Sequence, residues 1–313
     1  MYSLIIPVYR NEESIPELLN ELEALNASLG QLLEVVFVVD GSPDRSYAVL
    51  RELIPTTHVH AQLLLLSRNF GSFAAIRAGL AVATGPYYAV MAADLQEPTE
   101  LAQRFFQALA SEPVDVVIGT REGRDDPISS KLTSGLFWAL YRRLVLPELP
   151  VGGVDVFGCN QAFRDHLIAL EEINTSLVAL IFWIGFRRKS IPYVRQTRRH
   201  GRSAWTFRRK LKYLSDSIFG FTDLPIRLLF FFGSAGLVVS MVLGIAVALS
   251  RLTNTISVPG YSATILTITF FGALNTFGLG ILGAYTWRAF ENTKRRPGYI
   301  VFSSESINPP EGA

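Results

Sequence analysis

The chain has 313 residues, 49% of them apolar, and a net charge of only +2, a length that fits one large domain or two smaller ones. So balanced a charge offers no bulk footprint for nucleic acid. The single cysteine, Cys159, excludes an internal disulfide framework and a cysteine-based zinc site, and the four histidines have no metal-ligand spacing.

The amino terminus, MYSLIIPVY, lacks the basic region and the length of a signal peptide, so the first half of the chain is expected to stay in the cytoplasm. That half alternates strand and helix. Apolar runs at 3–9, 33–39, 61–66, 87–93 and 114–119 predict strands, and stretches such as 74–83 and 100–111 carry helical patterns. Continuous apolar strands between helices imply a mostly parallel sheet covered on both faces. Ligands of such sheets bind outside the carboxyl ends of the strands. Tyr9, Asp40, Arg68, Asn69, Asp94 and Arg121 all fall at such ends. They predict a pocket that carries both carboxylates and guanidinium groups.

No GxGxxG fingerprint and no P-loop follows the first strand, where the chain reads Pro7-Val-Tyr-Arg-Asn-Glu-Glu13. A phosphate-bearing ligand would then need a divalent cation. Asp94 and Gln96, two apart in VMAADLQEP, point to one side if the backbone is extended. Oxygen ligands of this kind suit Mg²⁺ or Mn²⁺. An indirect or sugar contact is an equal reading for Gln96.

Farther along, basic residues crowd the segment 187–212, which holds no Asp or Glu. Residues 228–250 and 262–287 carry no charge, and roughly 20 apolar residues cross a bilayer as a helix. Two spans are expected, joined by a loop containing Asn254, Pro259 and Gly260. Arg208, Arg209, Lys210, Lys212 and Arg227 precede them, Arg288, Lys294, Arg295 and Arg296 follow, and only Arg251 lies between. The positive-inside rule then puts both ends in the cytoplasm. The domains read as an α/β domain at 1–204, an amphipathic interfacial segment at 205–227, two transmembrane helices within 228–288 and a cytoplasmic tail at 289–313. An ordinary surface helix is the other reading of 205–227. The run 177–186 is too short to span and reads as a buried or membrane-grazing helix. From residue 303 onward the tail reads as unordered. Gly236, Gly244, Gly278, Gly280 and Gly283 permit close helix packing, as in a homo-oligomer, and are equally what membrane helices carry by composition. With no ionisable residue inside either span, no ion or proton path is expected.

Taken in order, the motifs SLIIPVYRNEES, VVFVVDGSPDRS, LSRNFGSFAAIRAGL and AADLQEPTEL resemble those of family 2 GT-A glycosyltransferases. GVDVFGCNQAFR, RRHGRSAW and RAFENTKRRPGYIV extend the resemblance over about residues 3–300. More narrowly, the chain is similar to the polyprenyl-phosphate glycosyltransferases, and its two spans favour the bacterial GtrB-type glucosyltransferases over the dolichol-phosphate mannose synthases. The resemblance implies a Rossmann-like GT-A fold and inverting transfer of a hexose from a nucleotide sugar, UDP-glucose first, to polyprenyl (undecaprenyl) phosphate. The reaction would use Mg²⁺ or Mn²⁺ at the cytoplasmic face of the cell inner membrane.

By the same resemblance, Asp40 contacts the nucleotide base or ribose, and Pro7, Tyr9 and Glu13 shape that end of the site. Asp94 and Gln96 bind the metal and diphosphate. Arg121, Lys131 and Ser134 cradle the acceptor phosphate. Arg198, with Gly201 and Ser203, belongs to a mobile loop that closes over both substrates. Asp155 lies near the sugar, where orienting a hydroxyl is preferred to acting as base; Asp94, Asp155 and Arg198 are the catalytic expectations. Many relatives carry acids at the positions of Ala92 and Val39, so more of the metal's charge would rest on Asp94. GDP-mannose or a UDP-linked amino sugar is the alternative donor. A non-catalytic membrane scaffold is the alternative of another class.

Overall fold

The structure is a computed structural model that describes residues 1–121, 139, 141–143, 145–150, 154–170, 172, 175–197, 207–252 and 260–308. Two compact units divide the chain: Met1–Tyr213 together with Arg296–Ala313, and Leu214–Arg295.

The first unit carries β1 (Tyr2–Val8), α1 (Ile15–Ser28), β2 (Leu33–Val39), α2 (Ser46–Leu53), β3 (His60–Leu66) and α3 (Ser72–Val82). It continues with β4 (Tyr87–Val90), α4 (Thr99–Ser111), β5 (Val116–Arg121), β6 (Val154–Asn160), α5 (Gln161–Ala169), α6 (Leu177–Trp183), β7 (Arg188–Tyr193) and β8 (Val301–Ile307). One sheet runs β7-β5-β6-β4-β1-β2-β3-β8. The central β4-β1-β2-β3 strands are parallel, as is β5 to β7. β6 and β8 run against their neighbours, so the sheet is mixed, with its parallel core as expected.

β2, LEVVFVV, is buried at all seven positions, as a central strand covered on both faces must be. On one face Leu4, Ile6, Val35 and Phe37 pack with Leu18 and Leu22 of α1 and Phe105 and Phe106 of α4. On the other, α3 comes so close that a Cβ at Gly79 would lie 2.5 Å from Ile5 Cγ2 and 3.1 Å from Val38 Cγ2. Only a glycine lets the helix backbone sit there.

Two expectations change, and a third, for the run 177–186, resolves to its buried-helix reading. The tail is not unordered: 301–307 form β8, antiparallel to β3. Its polar SSES core hides the strand, because an edge strand needs few apolar side chains. Pairing supplies the ladder, and Glu305 adds an anchor by accepting from Tyr47 Oη at 2.8 Å and Arg51 Nε at 3.1 Å. The run 177–186 yields α6, whose residues Leu177–Phe182 are all buried; it is a core helix. β4 stops at Val90, so the stretch after it is a turn and not extended strand.

In the second unit the chain runs through the end of α7 (Phe207–Phe221), then α8 (Leu224–Leu252) and α9 (Tyr261–Thr293). With a rise of about 1.5 Å per residue, α8 is ~43 Å long and α9 ~50 Å. Among the described residues no single helix is long and apolar enough to cross a membrane. The pair Tyr213–Phe221 and Leu224–Gly236, bent by 73°, passes by length and composition. Phe230, Phe231, Val238, Met241, Ile268, Phe270, Phe277 and Leu282 are exposed. Inside this unit Arg288 Nη2 donates to Asp216 Oδ1 at 2.7 Å, and its guanidinium lies over the Phe219 ring.

Glu34 interrupts the apolar run of β2 and is buried. Its carboxylate accepts from Ser3 Oγ at 2.5 Å, Gln62 Nε2 at 2.7 Å, Thr84 N at 2.9 Å and Thr84 Oγ1 at 3.0 Å. Burial works against its charge, yet these donors outweigh burial and hold the carboxyl below the ordinary range. A lowered folded pKa gives stability that is complete above the unfolded value and is lost as pH falls through the folded one. Glu34→Gln should therefore destabilise the protein by about 2 kcal/mol at pH 7. The difference from the parent should shrink as thermal unfolding is repeated at pH values falling below the ordinary glutamate pKa of about 4.3.

Candidate active site

Because β1, β2, β3, β4, β5 and β7 run in one direction, their carboxyl ends share an edge of the sheet. Tyr9, Asp40, Arg68, Asn69 and Arg121 follow or end these strands, and the loop after β4 brings Asp94. β6 runs the other way and reaches the same edge with its amino end. The register pairs its first residue, Val154, with Thr120, so the backbone of Asp155 lies beside the end of β5. The side chain of Asp155 and all of Lys131, Ser134, Arg198, Gly201 and Ser203 lie outside the described residues.

Asp40 organises one half of this edge. It is buried, and its two carboxylate oxygens accept from Phe70 N at 2.7 Å and Gly71 N at 2.8 Å, the last residues before α3. Its carbonyl accepts from Asn69 Nδ2 at 3.3 Å. The carboxylate thus holds the β3–α3 loop. Gly41 follows at φ +54°, and a Cβ there would meet the Arg68 carbonyl carbon at 2.3 Å. The Asp-Gly pair is what lets the β2–α2 and β3–α3 loops abut.

Beside it, the β1–α1 and β2–α2 loops are stitched together. Arg10 N donates to Ser42 Oγ at 2.8 Å, Asn11 N to Ser46 Oγ at 3.1 Å, and Arg45 N to Glu12 Oε2 at 2.7 Å. Burial raises the Asp44 carboxyl, but donors from Ser42, Ser46 and Glu12 outweigh it and leave the group below its ordinary value. Tyr9 and Pro7 are half-buried and Glu13 is exposed just before α1. Ser14 Oγ donates to Ala93 O at 2.9 Å and ties the start of α1 to the acidic loop.

That loop is where geometry departs most from expectation. Leu95 has φ +55°, a left-handed value uncommon for a side chain of its size. Gln96 N donates back to Asp94 Oδ1 at 3.3 Å. Asp94 and Gln96 are therefore related by a turn, and the two-residue alternation of an extended strand does not apply. The amide oxygen of Gln96 accepts from Arg195 Nη2 at 2.6 Å, and its amide nitrogen donates to Gln196 O at 3.4 Å. Asp94 is half-buried at the edge.

Behind Asp94 lies a charge cluster that the sequence reading missed. Glu97 is 2% exposed, with Oε1 3.8 Å from Arg195 Nε. Its carboxyl is raised, first by burial and then by Asp94; Arg195, the Ala92 N–H and Arg121 pull the other way. Tyr193 is raised chiefly by burial and also by Glu97, while a hydrogen bond to Arg121 opposes the rise. Glu97 sits inside VMAADLQEP and Arg195 inside the basic run, so both were visible as residues. Their meeting depends on β7 lying beside β5.

The abutting loops give a direct test. Gly41→Ala should destabilise the protein by about 2 kcal/mol, since it meets both a left-handed φ and a backbone contact. Thermal unfolding reads this, and an unchanged midpoint would contradict the close approach of the Gly41 and Arg68 loops.

Known proteins can now be set beside this geometry. Residues 3–169 match the family described as glycosyl transferase family 2. CsbB of Bacillus subtilis, named as a glycosyltransferase, is 33% identical over 301 residues, covering 96% of this chain and 91% of that one. The undecaprenyl-phosphate 4-deoxy-4-formamido-L-arabinose transferase of Klebsiella pneumoniae is 31% identical over 318 residues, covering 99% of this chain and 95% of that one. Mannosyl-3-phosphoglycerate synthase from Rubrobacter xylanophilus shares the fold, with a TM-score of 0.50 and 16% identity over 69% of this chain and 72% of that one. The parallel core, the acidic loop at its carboxyl edge and the match over most of the α/β unit agree: the chain is a glycosyltransferase with a GT-A α/β domain and belongs to glycosyl transferase family 2.

Proposed function

We propose that the enzyme transfers a hexose, glucose from UDP-glucose in the first instance, to a polyprenyl phosphate at the cytoplasmic face of a membrane. One observation carries this reading. The similarity to a transferase named for undecaprenyl phosphate runs over 99% of the chain, so it takes in the helical unit as well as the catalytic one. Exposed phenylalanines and aliphatic side chains on two long helices favour a lipid environment, since soluble monomers rarely show large apolar patches. The return of β8 to the sheet favours an even number of crossings, because the chain that leaves at Tyr213 comes back to the same unit. That agrees with two spans and with both termini on the catalytic side. A UDP-linked amino sugar is the second reading of the donor, favoured by the amino-sugar derivative in the Klebsiella relative's name.

In the proposed reaction an acceptor phosphate oxygen attacks the anomeric carbon. The bond from that carbon to the diphosphate oxygen breaks, configuration inverts, and the nucleoside diphosphate leaves with the electron pair. A monoester phosphate has its second pKa near about 6 and needs little help from a base. The burden falls on electrostatics, because two polyanions must approach. Arg121, at the end of β5, is proposed to meet the acceptor phosphate, and Lys131, Ser134, Arg198 and Ser203 are proposed to join it. Asp155 is proposed to orient a sugar hydroxyl.

Among the described residues no three His, Cys, Asp or Glu form a metal cluster. A single half-exposed carboxylate fits Mg²⁺ or Mn²⁺ nonetheless, since Mg²⁺ is commonly held by one or two carboxylates plus substrate phosphates. Asp94 would hold the ion with the donor diphosphate, and Gln96 would serve that loop through Arg195. When bound, the cation would offset charge on the leaving diphosphate. Asp40 acts one step back, by holding the β3–α3 loop at the nucleotide end.

The deciding assay incubates purified protein with polyprenyl phosphate, Mg²⁺ or Mn²⁺ and a panel of radiolabelled nucleotide sugars. A lipid-linked product should form with a UDP-sugar, and Asp94→Asn should lower turnover at least ~100-fold with the fold intact. No product with any donor would favour a scaffold.

A further inference from the structure

The chain leaves β7 at Tyr193 and is at once zipped to the loop that carries Asp94. Gln196 N donates to Gln96 O at 2.9 Å, and Gln96 Nε2 donates back to Gln196 O at 3.4 Å. Between these bonds Arg195 reaches in two directions. Its Nη2 donates to Gln96 Oε1 at 2.6 Å, and its Nε faces Glu97 Oε1 at 3.8 Å. Arg195 and Gln196 therefore brace the later end of the segment 92–97 at Gln96, two residues after Asp94.

This segment needs bracing. Leu95 stands at φ +55° and Gln96 folds back onto Asp94. Such backbone persists only where its surroundings over-determine it. The brace is also a costly way to gain stability. Glu97 is nearly inaccessible to water, and buried ion pairs often contribute no more than apolar replacements of similar size. What the guanidinium adds is geometry, because its Nη2 holds the Gln96 amide at 2.6 Å while its charge stays within 3.8 Å of the Glu97 carboxylate.

We propose that Arg195 is a positioning residue for the donor-diphosphate side of the site. It sets the turn that presents Asp94 and touches neither substrate's reacting atoms. The assignment of that side rests on the function proposed above; the brace itself does not.

The test compares full-length wild type with Arg195→Ala, Arg195→Lys, Gln96→Ala and the double variant Arg195→Ala/Gln96→Ala. Calorimetric titration with UDP and with GDP, each with and without Mn²⁺, should show nucleotide affinity in the presence of Mn²⁺ falling about tenfold or more in Arg195→Ala. Arg195→Lys should fall between it and wild type. The double variant should be no worse than Arg195→Ala, since coupled residues are not additive. Turnover assays should show the KM for polyprenyl phosphate unchanged. Hydrogen exchange read by mass spectrometry should quicken at the amides of 92–97 in Arg195→Ala and not in the Asp40 loop. Unchanged exchange at 92–97, additive losses, or donor and acceptor affinities falling together would overturn the proposal. If Arg195→Ala does not fold, Arg195→Lys and Gln96→Ala carry the same comparisons. Wild type that bound neither nucleotide would sink the donor reading, while the exchange data would still judge the brace.

Discussion

Parallel pairing of β4, β1, β2 and β3 is the constraint from which the site follows. Parallel strands must be joined by crossovers, here helices, so every loop that leaves a strand does so at one edge. The polar residues that end each apolar run are thereby collected. The two reversed strands serve the same edge in another way. β6 delivers its amino end beside the end of β5, and β8 follows Ile300, whose carbonyl accepts from Ser67 N at 2.9 Å. The outermost parallel strand is thus covered just before the Arg68-Asn69 loop begins.

Carboxylates at this edge are held mostly by backbone N–H groups and hydroxyls. Asp40 takes two amides and Asp44 takes hydroxyls and amides. Such donors keep a carboxylate charged without placing a fixed cation beside it. On the other half of the edge Arg121 and Arg195 stand near Glu97 and Asp94. In the function proposed here the acids of the β1–α1 and β2–α2 loops shape backbone, while Arg195 holds the Asp94 loop through Gln96.

Two chain crossings link the catalytic unit to the helical one, at α7 and at the segment before β8. The second is secured by strand pairing and by Glu305 on Tyr47 and Arg51. A helical hairpin tied at both ends to one α/β unit suits an enzyme whose donor is soluble and whose acceptor lies in a bilayer, which is the pairing of substrates proposed here.

The sequence by itself determined the parallel core, the edge where the site lies and the residues Tyr9, Asp40, Asp94 and Arg121 on it. Apolar runs of six or seven residues that end in polar residues and alternate with helical patterns are a local signal of buried parallel strands. Only the tertiary structure decided the rest. β8 is polar, because an edge strand draws its stability from a neighbour and not from its own side chains. The turn at Leu95 cancels the alternation that would have aimed Asp94 and Gln96 together. The brace of Arg195 on Gln96 joins residues 99 positions apart, and no local pattern records it. Contacts of that kind exist only once β7 has been laid beside β5, so the residues that hold Asp94 in place were written in the sequence without their pairing being readable from it.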